Sequence, residues 1–146
     1  SFRLPAAFDA LTWYGKGPWE TYADRKDAAL IGLYTSSVAE QHVPFAVPCE
    51  CGGHEDTRFA ALSDGTHIVQ IVGSDDFHFS ALPYSIAEYR KATYEEELPE
   101  QTTGTWLILD VAHAGLGGDT GWTKNIHPEY RVCKGRYSYT FRFHFA

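Results

Sequence analysis

The stretch that decides the fold is Arg136-Tyr137-Ser138-Tyr139-Thr140-Phe141-Arg142-Phe143-His144-Phe145. Aromatic residues fill every odd position, and polar or charged residues fill every even one. Successive side chains of a strand point to opposite faces, so this alternation predicts a half-buried strand with an aromatic inner face. Further out, Phe59 to Ser63 and His67 to Val72 flank Asp64-Gly65, a dipeptide that accepts the positive φ angles of a tight turn, and the pair reads as an antiparallel hairpin. Ala29 to Thr35, Phe77 to Leu82 and Trp106 to Val111 are further strands, each rich in β-branched or aromatic residues and bounded by Gly, Pro, Asp or Ser. Helix is signalled once, where Ser85 and Glu88 form a capping-box pattern ahead of Tyr89, Arg90, Lys91 and Ala92. Many short strands, frequent turns and almost no helix make this an all-β chain, an antiparallel β-sandwich.

The chain has 146 residues, enough for one core, so residues 1–146 read as a single domain or part of one. The sequence contains no methionine and opens on Ser1, from which we expect a piece of a longer polypeptide. A net charge of −7 with scattered Lys and Arg argues against nucleic acid, which needs a concentrated positive surface. There is no apolar run long enough for a bilayer span and no signal-peptide pattern at the start, so no membrane partner is expected.

Cys49, Cys51 and His54 are of the type zinc prefers, but the one-residue gap and the missing fourth ligand favour reduced cysteines beside a turn at Gly52-Gly53, and no metal is expected. The run Glu95-Glu96-Glu97 reads as solvated surface ahead of Pro99.

Chemistry concentrates in Asp110, His113, Gly115, Gly117, Gly118, Asp119 and Trp122. Glycines let the backbone turn sharply, so the indole can be presented to a site its own segment does not build. One face of a pyranose carries C–H bonds that pack on a flat indole, and burying that surface gains about 25 cal/mol per Å². The opposing reading makes Trp122 a core or subunit-contact residue. The loop lacks the Lys-Ser/Thr of a phosphate cradle, and Asp119 would repel an anion there. His113, with no partner carboxylate apparent in sequence, reads as structural, and with Asp119 it is expected to fix the loop through backbone hydrogen bonds.

Trp13-Tyr14-Gly15-x-Gly17-Pro18-x-Glu20-x-Tyr22-x-Asp24-Arg25, followed in order by Pro44 to Pro48, Leu82-Pro83-Tyr84-Ser85, Gly115-x-Gly117-Gly118-Asp119-x-x-Trp122 and His127-Pro128-Glu129-Tyr130, resembles the C-terminal domain of the large β-galactosidases of glycoside hydrolase family 2. The resemblance covers nearly the whole chain and departs at Cys51, where family members commonly carry asparagine. It implies a supersandwich similar to galactose mutarotase, of which this chain is the C-terminal half. It also implies retaining hydrolysis of terminal β-D-galactosides by two glutamates on a separate barrel, none of them in this chain, so the fragment alone is expected to be inactive.

By the same resemblance, Trp122 is the substrate-binding residue, stacking on the leaving-group sugar, and His113, Gly115, Gly117, Gly118 and Asp119 shape its loop. Mg and Na are expected elsewhere in the full-length enzyme and no cofactor in this segment. The implied partners are the remaining domains, above all the barrel, the β-galactoside and further copies of the subunit. The segment Trp13 to Arg25 reads as architectural, with a buried Arg25 paired to Asp24 or Glu20. The inner-face aromatics, Phe141 among them, are expected to be left uncovered in a half-domain. Two other functions remain open: a non-catalytic carbohydrate-binding sandwich using Trp19 and Trp122, and an aldose epimerase, for which no His–carboxylate motif is visible.

Overall fold

The computed structural model describes residues 1–100, 102–118 and 125–146. Among the described residues seven antiparallel strands form one sheet in the order β1-β6-β5-β4-β2-β3, with β7 also paired to β5. The strands are β1 (Phe2–Leu4), β2 (Ala10–Gly17), β3 (Leu30–Ser37), β4 (Gly53–Ser63), β5 (Ile68–Leu82), β6 (Thr105–Asp110) and β7 (Phe141–Phe145). The fold is all-β and sandwich-like. A six-residue helix, α1 (Ile86–Lys91), carries the expected capping box: Ser85 Oγ accepts from the Glu88 amide, and the Glu88 carboxylate accepts from the Ser85 amide. Among the described residues no helix is long and apolar enough to cross a membrane.

The β4–β5 hairpin turns at Asp64-Gly65, as its sequence predicts. Gly65 takes φ +89°, and the Asp64 carboxylate accepts from the amides of Thr66 and His67 at 2.8 and 2.7 Å. The two strands read at 67–72 and 77–82 are one strand, β5, which runs through Asp75 and Asp76. Its first half pairs with β7 and its second with β6, on the same flank. The forked pairing lets both halves of β5 face one core, in which Leu11, Trp13, Ala60, Leu62, Val69, Ile71, Phe77, Phe79 and Leu107 meet.

The C-terminal strand is shorter than its alternation suggests. Only Phe141–Phe145 pairs with β5, while the Tyr139 hydroxyl donates to the Asp75 carbonyl. Phe141 is not left uncovered, because its ring meets Phe77 edge-on at 5.4 Å and Tyr139 at 4.7 Å. The glycines of the first motif also behave differently from turn residues. Gly15 and Gly17 lie inside β2, where a Cβ would come within 2.7 Å of Thr57 and 2.8 Å of the Tyr34 ring. They are there for close packing.

The second half of β5 is buried on both faces. Phe77, Phe79 and Ala81 point into the main core, whereas Leu82 joins Cys51, Tyr89, Leu98 and Ile108 in a second cluster. With a period of two, His78 and Ser80 share that second face.

Candidate functional site

Strand register builds the site. His78 on β5 lies directly opposite Asp110 on β6, and directly opposed residues place their side chains side by side on one face. His78 Nδ1 is 3.3 Å from Asp110 Oδ2. Three residues past the end of β6, His113 turns back, so that its ring lies 4.4 Å from that of His78. Glu50, just ahead of β4, meets His113 Nε2 at 2.7 Å, while His113 Nδ1 is 2.7 Å from the Ala114 carbonyl. The Glu50 hydrogen bond and charge raise His113 to about 9, above the usual histidine value. Reciprocally, the hydrogen bond from His113 holds the Glu50 carboxyl below its usual value, against the opposing effect of burial. Tyr22 closes the cluster from below. Its ring sits 5.8 Å from His78 and 5.4 Å from His113, and burial raises its phenol.

The glycine loop leaves from this cluster and is held at its base. The Asp24 carboxylate accepts from the amides of Leu116 and Gly117 at 2.9 and 2.6 Å, and the Gly115 amide donates to the Tyr130 carbonyl at 2.8 Å. A Cβ on Gly115 would lie 2.5 Å from Asp24 Oδ2. Gly117 and Gly118 take φ of +70° and +106°, in the region that favours glycine. A Cβ on Gly117 would be 2.9 Å from the Asn125 carbonyl oxygen, so these two described residues lie in close approach. Beside this base a cleft of about 660 Å³ is lined by Asp24, Arg25, Gly117, Gly118, His127, Glu129 and Tyr130. Trp122 and Asp119, the two polar or aromatic residues expected to act on this loop, lie outside the described residues.

Sequence reading missed the partners. Glu50 and His113 are 63 positions apart, and only the β4–β5–β6 register joins them. Asp24 was legible as part of the Tyr22-x-Asp24-Arg25 motif, but not as the acceptor for the loop amides. Arg25 does pair with Glu20, at 3.0 Å, yet its side chain is 60% exposed, so it is not the buried arginine expected. Glu20 also accepts from the Gly52 amide at 2.9 Å, which fixes the turn where Gly52 takes φ +65°.

Glu95 is likewise not simple solvated surface, since it lies in a 3-10 turn and its carboxylate meets His42 Nε2 at 2.5 Å. His42 Nδ1 is in turn 3.9 Å from Cys51 Sγ. Thiol, imidazole and carboxylate in that order describe an activated nucleophile. The Cys51 thiol is fully buried and raised by that burial, and the Tyr89 hydroxyl sits closer to the same nitrogen, at 2.8 Å. This trio is packing, with Cys51 filling the second cluster. His54, the third of the zinc-type residues, points away from both cysteines into the main core and bonds Gln41 at 2.7 Å.

The sequence has counterparts among known proteins. A β-galactosidase of Priestia megaterium is 39% identical over 140 residues, covering 95% of this chain. One from Vibrio cholerae is 38% identical over 139 residues, and the β-galactosidase BgaC of Bifidobacterium adolescentis is 36% identical over 135, covering 95% and 90% of the chain. The chain spans about 13% of the length of each of these relatives. The family model described as the β-galactosidase small chain matches residues 1–143, and the chain belongs to that family.

Proposed function

We propose that this chain is the C-terminal part of a retaining β-galactosidase, the C-terminal half of a mutarotase-like supersandwich, and that it completes the substrate pocket with Trp122. The catalytic glutamates and the Mg and Na ions belong to other parts of the polypeptide, with which this chain packs in a homo-oligomer. The reading is carried by the closed loop base. Asp24, Tyr130 and the His113–Glu50 pair hold both sides of the segment that contains Trp122, beside an open cleft. A loop fixed at its base loses less entropy when its tip meets a ligand, which is what a residue positioning a sugar requires.

In this role Trp122 does no covalent chemistry. It holds the leaving-group sugar by its C–H face while hydroxyls bond elsewhere, and two carboxylates outside the chain carry out protonation and attack. The test is hydrolysis of a chromogenic β-galactoside by the full-length parent and by this chain alone, each with and without Trp122→Ala. The expected result is activity in the parent only, with weaker sugar binding in the variant. Turnover by the isolated chain, or an unchanged KM and transferase selectivity in the variant, would overturn the proposal.

A further inference from the structure

We propose that His78, Asp110 and His113, with Glu50 as the fourth donor, form a binding site for a divalent transition-metal ion of the Zn2+ type. One ligand atom from each of the first three residues lies within 4.8 Å of the other two. Zinc with bonds of about 2.0–2.1 Å has ligand atoms about 3.3 Å apart along each tetrahedral edge, and His78 Nδ1 and Asp110 Oδ2 are already 3.3 Å apart. His113 presents the arrangement of a metal-ligating histidine. Its Nδ1 is held by the Ala114 carbonyl, which fixes the tautomer and leaves the Nε2 lone pair for an ion. Nε2 faces Glu50 Oε1 at 2.7 Å, so an ion entering here replaces a proton between the two groups and spreads them by about half an ångström to reach a tetrahedral edge.

His78 is fixed in place. Its side chain is only 2% exposed, and its Nε2, buried without a hydrogen-bond partner, faces Gly53 of β4, which leaves Nδ1 as the atom presented to Asp110. The ring therefore forfeits only its bond to Asp110 on ligation, and both then coordinate one ion. A Cβ at Gly53 would collide with that same nitrogen, so β4 holds the ring against β6. Two imidazoles and two carboxylates favour Zn2+, Co2+ or Ni2+ over Mg2+, which demands oxygen ligands. His78 and Asp110 sit on strands, Glu50 lies just ahead of β4 and His113 opens the glycine loop, so the ion would fasten that loop to the sheet.

Co2+ titration of the full-length protein, followed by its visible absorption and by metal content after gel filtration, tests the site. With excess Mg2+ present to fill the magnesium sites expected elsewhere in the polypeptide, the expected result is one saturable equivalent per chain with the intense bands of tetrahedral Co2+, displaced by Zn2+ and not by further Mg2+. His78→Gln should lose that equivalent. Asp110→Asn, at a half-exposed position where folding is safe, should weaken it by at least about tenfold. Absence of a saturable equivalent, displacement by Mg2+, or uptake unchanged in both variants would overturn the proposal.

Discussion

His54 and His78 lie on paired strands, both buried, and their surroundings are opposite in character. His54 is packed between Trp13 at 4.2 Å and Phe79 at 5.2 Å, with the neutral Gln41 carbonyl as its Nε2 partner. Burial there pushes it down to about 3. His78 faces the other way, toward Asp110, His113 and Glu50, and next to it the Glu50 carboxylate raises His113 to about 9. Burial alone therefore does not set the surroundings of a histidine in this sheet. What decides is the face to which the strand sends it, since one face leads to an apolar core and the other to carboxylates at the base of the loop.

The difference can be broken most severely on the apolar side. Trp13→Ala removes the largest side chain of the core, and we expect a loss of about 3–5 kcal/mol in chemical denaturation. A loss under about 1 kcal/mol would mean that the core closes around the gap.

The pH dependence sharpens the comparison, because the two faces should respond with opposite signs. His54 is depressed in the folded state, so the unfolded chain binds its proton first. Stability falls as pH drops below the unfolded value near 6.5 and continues to fall toward about 3, by up to about 1.4 kcal/mol per pH unit. His113 is raised, so its contribution is fully present below about 6.5 and is lost as pH rises to about 9. Melting temperature against pH, with chelator present, should lose its acid slope in His54→Gln and its alkaline slope in His113→Gln. Identical profiles for the two variants would contradict the assignment of faces.

Asp24→Ala should cost about 1–3 kcal/mol, because two loop amides lose a charged acceptor, and in the full-length protein it should raise KM more than it lowers kcat. Equal losses in both would place Asp24 in the chemical step. The smallest effect belongs to Arg25→Ala, at under about 1 kcal/mol, since an exposed guanidinium gains little from its pairing. A larger loss by thermal melting would show that Glu20 cannot hold the Gly52 turn by itself.

What the sequence shows and what it hides divides along the same line. Runs rich in β-branched and aromatic residues located β3, β6 and the second part of β5, and Asp64-Gly65 and Ser85-x-x-Glu88 gave the hairpin and helix start, because each depends on neighbours a few residues away. β2 was harder to see, since Gly15 and Gly17 carry no strand signal and are selected by contacts with Thr57 and Tyr34. The C-terminal alternation likewise overstates its strand, which begins only at Phe141 although β5 continues past Gly73. In the site, the glycines of the loop were visible as a motif. The Glu50–His113 and Asp24–Leu116 contacts join connecting segments far apart in the chain, and no local pattern encodes them.

The meeting of Gly117 with Asn125 also bears on how this protein can change. When a loop's ends are joined at its base, its length is decoupled from the scaffold, and doubling it adds only about 0.6 kcal/mol of closure entropy. A change in the number of residues between Gly117 and Asn125 therefore costs the fold little closure entropy, while Asp24 and the Gly115–Tyr130 bond keep the two ends in place.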